Sequence, residues 1–298
     1  MYEDMNKEYL LDKFFSGNKQ IPTVPAIYLK FSKMIEESSV ASNKEIADLI
    51  TKDPAMVVKI LKLSNSALYA RRSEITSLTS AVTLLGIETL KNLILKISLV
   101  RAFKFDDKEL PEFNISTFWE HSLATAYFAP LIVKKMKIPP NDNYYIGGLL
   151  HDIGKLVIFQ FYPEKFKEII LTQVKENVRD TEAEETVFGV NHCDIGGYFA
   201  EQWKFKKEIV DVIKNHHNVT GSISLNVAIT RLSNLFSKAV GLCFPWDSNF
   251  FDLVGDPTWE VLSLYTDENV NIEEMILEIM EESGKIKESV TELLREND

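Results

Sequence analysis

The sequence predicts an all-α protein, and three observations carry that prediction. Apolar residues recur at helical spacing along most of the chain. The periodic stretches open on Ser, Thr, Asp or Asn and close near glycine or proline. No pair of alternating strands stands out, nor any repeat or low-complexity tract. At 298 residues the chain is long enough to bury a substantial core, in one large domain or two modest ones.

An amphipathic segment from Met5 to Phe15 opens the chain and ends at Gly17. I-P-T-V-P (21–25) reads as an extended lead-in, because each proline disfavours helix in the residue before it. Helical periodicity returns from Ala26 to Ile35. Ser42 with Glu45 makes a capping box for a short helix ending near Ile50. Asp53-Pro54 then places a cap and an N1 proline ahead of M-V-V-K-I-L-K-L. A helix from Ser80 to Leu85 stops at Gly86, and a longer one runs from Glu88 to Phe103. Helix pairs on short links predict a helical lobe over residues 20–105, preceded by an N-terminal helix in residues 1–19.

The polar stretch K-F-D-D-K-E-L-P-E-F-N separates this lobe from a second one, residues 116–240. Ser116 is placed to cap a long helix through about Val133. After P-P-N-D-N an apolar segment runs into His151-Asp152, and Pro163 starts a helix to about Val178. Thr181 with Glu184 reads as another capping box, and Asn191 as the cap of the helix carrying His192. Lys207 to Asn215 leads into His216-His217, and Leu225 to Val240 is a further core helix. Residues 241–298 read as a small C-terminal appendage. It is aromatic and proline-bearing to about Trp259, then forms two acidic amphipathic helices to Leu294.

The formal charge, 33 minus 44, is −11, which argues against bulk capture of a nucleic acid backbone. Lys59, Lys62, Arg71, Arg72, Lys91 and Lys96 could still make a local basic face. The L-L-G-I-E-T-L link loosely resembles a backbone-binding hairpin, but charges on helices are ordinarily solvent faces, so nucleic acid is not the expected partner. Two cysteines, Cys193 and Cys243, make no disulfide framework, and a reduced, cytoplasmic setting is expected. The first residues lack the basic-then-apolar pattern of a secretory signal. The greasiest run, Leu93 to Val100, is interrupted by Lys96 and too short to span a bilayer, so no membrane insertion is expected.

The five histidines are His121, His151, His192, His216 and His217, separated along the chain by 30, 41 and 24 residues before the final adjacent pair. One or two ligands per helix at wide spacing suits a metal site in a helical bundle better than a compact zinc knuckle. A lone histidine on a half-apolar helix is ordinarily a hydrogen-bonded or surface residue, so His121, His192 and His217 say little singly. His151-Asp152 in L-L-H-D-I-G-K says more, because burying such a pair without partners is costly. A carboxylate can also bridge two ions, which imidazole does poorly.

L-L-H-D-I-G-K resembles the signature of the HD superfamily of helical metal-dependent phosphohydrolases. I-P-T-V-P-A-I, T-K-D-P-A-M-V-V-K-I-L-K-L-S-N-S-A-L-Y and I-T-S-L-T-S-A-V-T-L-L-G-I-E-T-L-K-N-L resemble the HDOD domain, a related module of bacterial signalling and regulatory proteins, over about residues 20–240. The resemblance implies an HD-type helical core with His121 as first ligand and His151-Asp152 as the defining doublet. It implies His192, His216 and His217 as extra ligands of a binuclear branch that cleaves cyclic dinucleotides, and Lys155 as a residue holding substrate phosphate. Asp152 and Lys155 would be the catalytic pair if the protein is active.

Two positions depart from that pattern. The last carboxylate is expected where R-L-S-N-L-F places Asn234, and an amide binds a divalent ion weakly and cannot act as a base. The branch's H-H-E and G-Y-P elements are replaced by H-H-N-V-T-G-S, with Asn218 in the glutamate position. The resulting expectation is a signalling or regulatory module that binds a protein partner and retains one or two transition metal ions (iron, manganese, zinc or nickel) without efficient catalysis. The alternative is a metal-dependent phosphohydrolase or phosphodiesterase of HD type acting on a nucleotide or cyclic dinucleotide, with a nucleotide or phosphate ligand as the expected small-molecule partner. The sequence leaves the oligomeric state open.

Overall fold

The computed structural model describes residues 6–16, 26–37, 42–65, 75–103, 114–219, 223–247, 252–266 and 271–295. Among them every regular element is helical. The chain divides into two compact units: Met1–Ile21 with Phe105–Val290, and Pro22–Lys104 with Thr291–Asp298. α1 (Lys7–Phe15) belongs to the first of these.

The smaller unit is built from α2 (Ala26–Glu37), α3 (Asn43–Ile50), α4 (Pro54–Ser64) and α5 (Leu78–Ala102). α5 packs against the other three, burying Leu90, Ile94 and Leu95 with Phe31, Ile46, Ile50, Met56 and Ile60. Each of these side chains contributes on the order of 1.5–3 kcal/mol by leaving water. The Ser42–Glu45 capping box forms at the start of α3, and Asp53 caps α4 and pairs with Arg101. The Asn65 side chain, just after α4, accepts from Ile75 N at 2.7 Å and donates to the Ile75 carbonyl at 2.8 Å.

Gly86 interrupts α5 with φ 76° and ψ 163°, a conformation that a Cβ would strain. The break falls where the sequence stops the helix, but the first segment starts at Leu78 and is capped by Ser77, not at Ser80. By length and composition α5 is apolar enough to cross a membrane. Lys96 is buried in this helix, so it belongs to no exposed basic face. Arg71, Arg72 and the I-P-T-V-P segment lie outside the described residues.

The larger unit continues with α6 (Ile115–Lys135), α7 (Asp142–Leu150), α8 (Ile153–Phe161), α9 (Pro163–Glu176) and α10 (Asp180–Phe188). After these come α11 (His192–Gln202), α12 (Lys207–Asn215), α13 (Leu225–Ala239), α14 (Thr258–Ser263) and α15 (Ile272–Arg295), the last of which belongs to this unit as far as Val290. α6, α7 and α13 pack mutually, with Phe128 stacked on Phe236, and α11 packs on α8 and α12. α1 lies on α11. Phe14 contacts Tyr162 and Phe188, Phe15 stacks on Tyr198, and Tyr162 donates to the Phe14 carbonyl at 2.7 Å.

Two caps differ from expectation. Asn114, not Ser116, caps α6, accepting from Ser116 N at 2.8 Å. α10 begins at Asp180 with no side-chain cap, so Thr181 and Glu184 do not form a capping box, and Glu184 turns inward.

Candidate metal centre

Glycines bring the site's helices close enough to share one centre. A Cβ on Gly154 would stand 2.0 Å from the His192 carbonyl oxygen, and one on Gly196 would stand 2.9 Å from Gly154 N. α8 and α11 therefore touch backbone to backbone, setting His192 beside Asp152. Gly148 does the same for α7 against α6, where a Cβ would meet the Ala126 Cα at 2.7 Å. His121 sits in the second turn of α6, His151 and Asp152 form the α7–α8 junction, His192 opens α11, and His216 follows α12.

Asp152 is the hub of this arrangement. Its Oδ2 lies 3.4 Å from His151 Nε2, 3.7 Å from His121 Nε2 and 3.1 Å from Lys155 Nζ. Its Oδ1 lies 3.3 Å from His192 Nε2 and 3.5 Å from His216 Nε2. The structure thus gathers His121, His151, His192 and His216 around one carboxylate, all of them buried. The His217 ring stands beside those of His216 and His192, with centroids 4.3 and 5.1 Å away. Asn234, on α13, is buried and lines the adjoining cleft with His217, Asp180, Arg179, Lys238 and Asp247.

Each converging imidazole is fixed from behind through Nδ1. The partners are the Leu242 carbonyl for His121 (2.8 Å), the Gly148 carbonyl for His151 (2.8 Å), Glu184 Oε2 for His192 (2.7 Å) and the Ile213 carbonyl for His216 (3.0 Å). A carbonyl only accepts, so in His121, His151 and His216 Nδ1 carries the hydrogen, and in all four rings Nε2 faces Asp152. Ligating histidines are ordinarily oriented in this way.

Burial pushes His151 well below its ordinary pKa, towards the neutral form, although Asp152 favours its charge. Burial also opposes ionisation of Asp152, but His151 and Lys155 hold its carboxyl well below the usual range. His151 Nε2 points at Oδ2 of that carboxyl, 3.4 Å away. His151 Nε2 and Asp152 Oδ1 are both buried without a hydrogen-bond partner among the described residues. Buried polar atoms left without partners in a dry site are costly, and divalent cations held at the two oxygens of Asp152, Oδ2 beside His151 and Oδ1 beside His192 and His216, would satisfy them. The residues fit a metal ion.

Lys155 serves another end. Its ammonium lies 3.1 Å from Asp152, 2.7 Å from Asp180 and 3.5 Å from Asp247. Burial opposes its charge, but those three carboxylates hold its pKa well above the ordinary value. Sequence reasoning missed Asp180, Glu184 and Asp247. T-E-A-E matched a local capping pattern, and nothing near Asp180 or Asp247 in sequence marks either. Leu242 and Asp247 both come from the segment read as an appendage.

Comparison with known proteins gives a consistent family assignment. The sequence profile of the HDOD domain matches residues 21–219. An uncharacterized protein of Treponema pallidum (strain Nichols) is 28% identical over 200 residues, covering 67% of this chain and 38% of that relative, so the chain spans less than half of its length. Among solved structures, an HDOD domain protein of unknown function from Geobacter sulfurreducens aligns with TM-score 0.83 at 28% identity, over 96% of this chain and 98% of that one. A candidate signal transduction protein from Marinobacter aquaeolei VT8 shares the fold, with TM-score 0.75 at 19% identity over 96% of this chain and 64% of that one. So does a candidate phosphohydrolase from Shewanella amazonensis SB2B, with TM-score 0.70 at 18% identity over 98% of this chain and 100% of that one.

Proposed function

This chain belongs to the HDOD domain family, and from that membership we propose that it is a bacterial signalling or regulatory module that keeps a transition metal at Asp152 without efficient hydrolysis. The observation that carries this reading is the enclosure of Lys155 by Asp152, Asp180 and Asp247. Resemblance assigns that lysine to substrate phosphate, yet its charge is already met by three carboxylates. A phosphodiester would have to displace one of them and lie against the others' negative charge. Asn234 brings an amide where a carboxylate would both bind metal and take a proton.

A bound metal would supply Lewis acidity and a more acidic water. The chain's own residues would hold it: His121, His151, His192 and His216 through Nε2 with Asp152 between them, and with His217 and Asn234 at its edge. Signalling output would then pass through a protein partner, a setting in keeping with the name of the Marinobacter relative.

Elemental analysis of protein purified without chelators, paired with a phosphodiesterase screen, tests this. The expected result is about one or two transition metal ions per chain, of the kinds imidazole favours, and no turnover of nucleotides or cyclic dinucleotides after loading with manganese or iron. Robust turnover abolished by His151→Ala would overturn it in favour of a metal-dependent phosphohydrolase. That second reading is favoured by Arg179 and Lys238, whose positive charge lines the cleft beside the histidines and suits a phosphate-bearing ligand.

A further inference from the structure

Cys193 follows His192 at the start of α11, and the motif resemblance gives it no role. It is buried, and its Sγ lies 3.8 and 4.0 Å from the two ring nitrogens of His216. The donor atoms of His192, Cys193, His216 and His217 all lie within 4.8 Å of one another. Asp152 Oδ1 points into the same space, buried and without a hydrogen-bond partner among the described residues. His217 Nε2 is buried and unpartnered in the same sense.

We propose that Cys193 is a metal ligand, completing with His192, His216 and Asp152 a thiolate-containing tetrahedral site for a zinc-class cation. The distances carry the assignment. His192 Nε2 and His216 Nε2 are 3.3 Å apart, and Asp152 Oδ1 is 3.3 and 3.5 Å from them. Metal–nitrogen and metal–oxygen bonds of about 2.0–2.2 Å at tetrahedral angles give edges of roughly 3.3–3.5 Å. Three of the four corners are thus already at ligand spacing around a common point. A metal–sulfur bond of about 2.3 Å gives a sulfur–nitrogen edge of roughly 3.6 Å, so the 4.0 Å between Sγ and His216 Nε2 closes with a small turn of the Cys193 side chain.

His216 Nδ1 is engaged by the Ile213 carbonyl, which leaves Nε2 as its ligating atom. A thiolate corner selects zinc, or cobalt in its place, over the harder manganese. His121 and His151, on the other oxygen of Asp152, are left outside this tetrahedron.

The inference rests on the proposed retention of metal, and cobalt(II) distinguishes the two. Metal-stripped full-length protein is titrated anaerobically with cobalt(II), and its absorption and binding heat are followed. The expected result is the visible bands of a tetrahedral ion together with an intense near-ultraviolet sulfur-to-cobalt band. Cys193→Ser, and Cys193→Ala as a second variant, should abolish the near-ultraviolet band. They should keep visible bands and bind cobalt about 10-fold more weakly, while Cys243→Ser changes neither. Visible bands without the sulfur band, or a sulfur band that survives both Cys193 variants, overturn thiolate ligation and leave metal retention standing. No cobalt binding overturns both.

Discussion

At the scale of single residues, the site is defined by which atoms have partners. Asn234 Oδ1 is buried beside the histidine pair without a hydrogen-bond partner among the described residues, so a carboxylate there would meet a cation directly. Asn234→Asp should therefore tighten metal binding by on the order of 10-fold, measured by competition with a chromophoric chelator. No gain would place Asn234 outside the ligand set. Glu184 shows why residue roles escape a local reading. The T-E-A-E spacing matches a capping box, yet the Glu184 carboxylate accepts from both His192 N and His192 Nδ1 at 2.7 Å. Its inward turn depends on α10 meeting α11, which four residues of sequence cannot encode.

At the scale of elements, helix boundaries followed local signals wherever the cap was within a few residues. Asn191 and Asp194 form a reciprocal box at the start of α11, as Ser42 and Glu45 do at α3. Ser80 and Ser116 missed by only two or three positions, because Ser77 and Asn114 offer an equivalent oxygen slightly upstream. What the periodicity did not reveal is how closely the helices approach. Gly154 sits against the His192 carbonyl with no room for a methyl group. Gly154→Ala should force α8 and α11 apart, cost about 3 kcal/mol or more in urea denaturation, and lower the bound metal sharply. A variant with wild-type stability and metal content would show that this backbone contact is not what holds His192 in place.

At the scale of the whole molecule, the segment after α13 takes part in the site. Leu242 accepts from His121, Asp247 meets Lys155, and Asp256 holds Arg231, which also donates to the His217 carbonyl at 3.2 Å. Burial opposes the charge on Asp256, but hydrogen bonds from Arg231 and Thr258 outweigh it and lower its pKa. A carboxyl lowered by folding adds stability in full above its unfolded value, about 3.9. That stability is lost as pH falls through the folded value. Asp256→Asn should therefore cost about 1.5–3 kcal/mol at neutral pH and flatten the acid limb of the stability profile below about pH 4. Parallel profiles for both proteins, followed by urea denaturation, would rule that contribution out.

By itself the sequence determined the helical class, most helix limits and the histidine motif, because periodicity, caps and the H-D doublet act over a few residues. It also marked Asn234 as a departure, since an amide differs from a carboxylate wherever it stands. Only the tertiary structure decided that four imidazoles share Asp152, that three carboxylates enclose Lys155 and that Cys193 joins the cluster. Those facts depend on the spacing between helices distant in sequence, and that spacing is set by contacts such as Gly154 on the His192 carbonyl.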